Sequence, residues 1–113
     1  MSVSFEEIGQ VQVTCKAQEE VAAGQVVKVT ENGTVAPCAK GEAFAGVAMG
    51  LSGDSFAAVQ VKGFMEASCG EDVTVGWNTL CANGQGGVEK TANEGGVALW
   101  VWSVENGKAV FCL

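Results

Sequence analysis

Three Asn-Gly pairs, at positions 32–33, 83–84 and 106–107, each follow a run in which apolar residues recur every second position. Asn and Gly both tolerate positive φ, and a two-residue loop with both in that region is a type I′ turn, whose twist suits antiparallel strands. Val27 and Val29 alternate with Lys28 and Thr30 ahead of the first pair, and Val35 follows it. Thr79 to Ala82 runs into the second pair, and WVWSVENGKAVFCL places the third between two strands that reach the last residue. Val11, Val13 and Cys15 alternate with polar neighbours, as do Val59 and Val61, so both segments are read as half-buried strands. No run shows a helical 3.6-residue stripe; EEIGQ and AQEEVAAG are short and bounded by glycine, and at most one brief turn is expected near Ala43-Phe44. Sixteen glycines against a single proline, Pro37, fit many tight turns between short strands. The fold class expected is all-β: a small closed or partly open β-barrel or sandwich of short antiparallel strands. Closure suits such a chain because it removes exposed sheet edges.

At 113 residues the chain is long enough for one domain with a single core. Residues 1–17 are read as an N-terminal arm or first strand, and 18–113 as one β-barrel-like domain. In the arm reading Phe5 and Ile8 are apolar anchors; in the strand reading Val3 and Phe5 share a face. An internal echo crosses the domain. Gly24, Asn32-Gly33 and Gly46-Val47-Ala48 are matched in order, and nearly in spacing, by Gly76, Asn83-Gly84 and Gly96-Val97-Ala98. Two related β units around one core would produce it.

The side-chain inventory excludes several functions. With six lysines, thirteen acids, no arginine and a net charge of −7, the chain lacks what phosphate binding and base reading need, so no nucleic-acid partner is expected. No apolar run approaches the roughly 20 residues of a membrane helix. The first ten residues carry acids where a secretion signal needs a basic region, which points to a cytoplasmic protein. Histidine is absent, removing the usual general base and the commonest metal ligand. Cys15, Cys38, Cys69, Cys81 and Cys112 are odd in number, scattered and never in a C-x-x-C pair; they read as free, small hydrophobes, and a zinc site has no support in their spacing. Glu71-Asp72 reads as a solvated turn before Val73. No enzyme, cofactor or metal is expected.

In the segment VALWVWSV, Val97, Leu99 and Val101 alternate with Ala98, Trp100, Trp102 and Val104, so both faces of the strand are apolar. The aromatic face either lies under a loop or at a barrel mouth, or is a subunit or partner contact, for which tryptophan is favoured. Trp100 and Trp102 are therefore the candidate interface residues, with Phe5 and Ile8 beside them.

The stretch AAGQVVKVTENGTV at 22–35, followed by GEAFAGVA at 41–48, resembles the opening of the small phage capsid cement (head decoration) proteins. VQVKG at 59–63, VGWNTLCANGQGGV at 75–88 and the terminal strand pair extend the similarity to roughly residues 20–113. The resemblance implies a β-barrel-like structural protein of a phage or prophage virion. Such a protein binds the capsid exterior, commonly as a homo-trimer at junctions between major capsid protein subunits, after release into the host cytoplasm. It carries no catalytic residues. The competing expectations are a lipoyl- or biotinyl-like carrier, against which no lysine occupies an Asn-Gly tip although Lys108 follows one, and a small ligand- or carbohydrate-binding β module, hinted at by Trp77 beside Asn78.

Overall fold

A computed structural model describes residues 10–51, 55–92 and 95–113, and every regular element among them is a strand. The strands are β1 (Val11–Ala17), β2 (Val26–Glu31), β3 (Thr34–Pro37), β4 (Gly46–Leu51), β5 (Phe56–Lys62), β6 (Phe64–Ser68), β7 (Gly76–Ala82), β8 (Val88–Lys90), β9 (Val97–Glu105) and β10 (Lys108–Cys112). The first five close into a barrel in the order β1-β3-β2-β4-β5, and the second five form a sheet in the order β6-β10-β9-β7-β8. The all-β expectation holds, with one departure in strand direction. β1 and β3 pair in parallel, Lys16 with Thr34 and Ala17 with Val35. An odd number of strands cannot close with every neighbour antiparallel, so a five-stranded barrel needs at least one such pair.

Alternation along the barrel strands divides their side chains between two cores. Val27, Val35, Ala48, Ala57 and Val59 point into the barrel, joined by the partly buried Cys15, Ala17 and Val61. Val26 and Val47 point outward, yet they are buried, because the inner face of the second sheet covers them with Met65, Leu80, Leu99, Val101 and Phe111. The Phe44 ring meets the Phe111 ring at 5.7 Å in that second core. Gln60 is buried where the two units join; its Nε2 donates to the carbonyls of Lys62 and Phe64 at 3.2 and 2.6 Å. The chain end seals the same junction, with Gly63 and Leu113 exchanging backbone hydrogen bonds.

The two units share one topology. Replacing β1 to β5 by β6 to β10 in order reproduces every antiparallel pairing of the barrel in the second sheet. The parallel contact recurs as the lone bridge between Cys69 and Val88. The landmarks of the sequence echo fall at matching places: Gly24 and Gly76 at the entries to β2 and β7, Gly46 and Gly96 at those to β4 and β9. Asn32-Gly33 and Asn83-Gly84 follow β2 and β7.

Three local expectations are corrected. Asn106 and Gly107 both have positive φ, 53° and 73°, as a type I′ turn requires, but at 32–33 only Gly33 does. There β2 takes up an extra residue, Thr30, between the pairs Val29–Val35 and Glu31–Thr34, and this bulge supplies the local twist instead. Asn83-Gly84 opens a longer loop, in which the Asn83 Oδ1 accepts from the N–H groups of Gln85 and Gly87. Finally, β1 is a strand but its valines are not half-buried: Val11 and Val13 are 47% and 41% exposed. Of the β1 side chains, Cys15 and Ala17 are the ones that pack against the barrel core, and the β1–β5 register shifts at the start of β1, where β5 carries the extra residue Val61.

Candidate functional site

β9 sits in the middle of the second sheet, between β10 and β7. Leu99 and Val101 go into the core, and Trp100 and Trp102 are left 56% and 53% exposed on the outer face. Register then adds a residue that the β9 sequence does not contain. Trp77 on β7 lies directly opposite Trp100, and the two rings meet edge to face at 5.4 Å and 66°. On the other side Trp102 occupies a bulge, since Val101 pairs with Phe111 and Ser103 with Val110. From there its ring reaches Phe64 of β6, again edge to face, at 5.4 Å and 76°. Cys112 pairs with both Trp100 and Phe64, filling the middle of the row. The result is an aromatic strip across four strands, extended beyond Trp77 by the exposed Val75.

The same bulge corrects one sequence assignment. Val104 was expected beside the tryptophans, but the extra residue reverses the alternation, and Val104 pairs with the buried Ala109 and packs against the core. Trp100 and Trp102 do share a face, as expected. Phe5 and Ile8 lie outside the described residues. Trp77 and Phe64 were not singled out as members of the strip. The parity of Trp77 against Leu80 marks it as outward, but only the β7–β9 and β6–β10 registers bring these rings to β9.

The polar surroundings offer little chemistry. Asn78, adjacent to Trp77, is buried on the opposite face, where its Nδ2 donates to the carbonyls of Thr74 and Gly76. It therefore braces the entry to β7 and cannot serve a sugar bound on Trp77. Asp72 caps the end of β8 by accepting from the Lys90 N–H at 2.9 Å. All five cysteines are free. Burial pushes the Cys38 thiol up to about 11 and raises those of Cys69 and Cys81 as well, the reverse of what a thiolate nucleophile needs. Among the described residues no group of three or more Cys, Asp or Glu is placed to hold a metal ion. A cleft of about 290 Å³ runs between barrel and sheet, lined by Gly24, Gln25, Ser68 and Gly86 with the Lys108–Glu66 ion pair on its wall.

No protein-family model matches the chain, and no curated protein does. Among solved structures the chain is similar to the head fiber gp8.5 N base of bacteriophage phi29, with a TM-score of 0.65 over 92% of this chain and 93% of that one. Identity is 16%, so the likeness is one of fold.

Proposed function

We propose that this chain is a structural, non-enzymatic protein of a phage head, which docks on the capsid exterior and stabilises the shell. The observation that carries the reading is the fold shared with the phi29 head fiber base along almost the whole of both chains. The motif order that resembles capsid cement proteins supports the same reading independently. So does the character of the exposed surface, where the described residues present a strip of aromatic rings. A decoration protein needs rigid shape and repeated apolar contacts; many modest contacts on one lattice add up to strong retention. In this reading the partner is the major capsid protein, the chain acts as a homo-trimer, and it passes from the host cytoplasm to the virion surface. Its net charge of −7 keeps free copies soluble before docking.

The test uses heads from the same genome assembled without this protein. Purified protein added in excess should co-sediment with them at a saturable ratio and raise the temperature at which DNA is released. Heads that neither bind it nor gain heat resistance would remove the capsid assignment.

A further inference from the structure

We propose that the outer face of β7 and β9, centred on Trp77 and Trp100, receives a second copy of this chain, which presents Met49 and Phe56 from the outer side of its barrel. The inference deepens the self-association in the function proposed above, and it does not depend on the capsid.

The argument starts from the repeated topology. In the first unit the outer face of β2 and β4 carries Val26 and Val47, paired with each other and exposed by only 1% and 3% because the second sheet lies against them. The strands that take the places of β2 and β4 in the second unit are β7 and β9. Their outward residues are Trp77, Thr79, Ala98 and Trp100, paired across the two strands in the same way. This face is the counterpart of one that is already a protein–protein contact within the chain, and here no other element among the described residues covers Trp77 and Trp100, which are 59% and 56% exposed. The covering surface in the first unit is an apolar sheet face, so a surface of that kind suits its counterpart.

Two further observations point to another copy as the source. The chain carries exposed apolar side chains on neighbouring strands of the barrel: Ala57 and Ala48 point inward, leaving Phe56 and Met49 turned outward at 44% and 43% exposure. Electrostatics then restricts where two such acidic molecules can touch. Copies with a net charge of −7 repel, but the outward positions of β7 and β9 between Trp77 and Trp102 carry no ionised group. The ring pairs are tilted, at 66° and 76°, so together they do not form the flat platform on which a sugar ring stacks. A contact between two different surfaces of one chain is heterologous, and its repetition closes into a ring when the rotation allows.

Two double variants test this. Trp77→Ala/Trp100→Ala removes one surface and Met49→Ser/Phe56→Ser removes the other. Each alone should associate at least about thirtyfold more weakly than wild type, the loss expected when an interface hot spot is removed. Mixed in equal amounts, they retain one intact pair of surfaces between them, and native mass spectrometry should then find a heterodimer. Circular dichroism checks that each variant folds. Should one not fold, hydroxyl-radical footprinting of the wild-type chain decides: Trp77, Trp100, Met49 and Phe56 should gain protection together as concentration rises. Wild-type assembly by the tryptophan variant, or a mixture that stays monomeric, would overturn the proposal and leave the capsid reading standing. The same holds if wild type is monomeric at high concentration while the tryptophan variant fails to bind heads, which would assign this face to the capsid.

Discussion

Lys28 on β2 and Glu42 in the loop ahead of β4 form a two-pronged ion pair, with the Nζ donating to both carboxylate oxygens at 2.8 and 2.9 Å. Glu42 also accepts from the Ala39 N–H, so one carboxylate ties the loop both to the barrel and to itself. The hydrogen bond from Lys28, then that from Ala39, holds the Glu42 carboxyl below its ordinary range. A carboxyl with a depressed folded pKa stabilises at pH values above its unfolded pKa, and that stabilisation disappears as pH falls through the folded value. Glu42→Gln should therefore lower the melting temperature at pH 7, and the gap from wild type should close as the solution is acidified below about 4. Cys38, pushed up to about 11 by burial, makes a second residue-scale expectation. In the native protein its alkylation by iodoacetamide should stay slow at pH 8–9, where an exposed thiol already reacts, and accelerate toward pH 11. Fast modification at pH 8 would show that the thiol is not desolvated.

At the scale of elements, the β9–β10 turn depends on backbone conformation. Asn106 is the one described residue other than glycine with positive φ. Asn106→Gly should leave urea stability almost unchanged, while Asn106→Val should cost about 1–2 kcal/mol, because a β-branched side chain meets the backbone in that conformation. The junction between units depends instead on hydrogen bonding. Gln60→Leu would leave the Phe64 and Lys62 carbonyls without their buried donor, a loss of about 1–3 kcal/mol in the same measurement. The parallel bridge of the second unit needs close approach: a Cβ at Gly87 would overlap the Ser68 carbonyl oxygen, which is backbone and cannot yield. Gly87→Ala should accordingly destabilise by about 1–3 kcal/mol.

The whole molecule divides its aromatic residues between holding the fold and facing outward, and the two roles separate by measurement. Phe111 is fully buried in the second core, and Phe111→Ala should cost about 3–5 kcal/mol in urea unfolding. Trp100 is more than half exposed and its principal ring contact is Trp77. Trp100→Ala should cost only about 0.5–1.5 kcal/mol when unfolding is measured at dilutions where copies do not associate. Equal costs for the two substitutions would mean that Trp100 holds the fold, and its place on a contact surface would lose its basis.

Much of this architecture was legible in the chain because it rests on short-range physics. Two-residue periodicity put Leu99 and Val101 on one face of β9 and Trp100 and Trp102 on the other, and Asn-Gly located the turns, since both signals act within a few residues. The echo of Gly24, Asn32-Gly33 and Gly46 marked the repeat for the same reason: the entry to a strand and the turn after it have local backbone requirements. What depended on distant pairing was decided by tertiary structure. Val26 and Val27 are adjacent valines in one run, yet they serve different cores, because the second sheet lies against one side of β2 only. Trp77 joins Trp100 through a register spanning 23 residues, and Val104 turns inward because β10 accommodates a bulge at Trp102. The parallel closure of the barrel follows from the parity of five strands, a count that exists only once all of them have paired. Dihedral preference and side-chain alternation are properties of neighbouring residues, whereas the face that becomes core and the face left open are set by which surface folds against it.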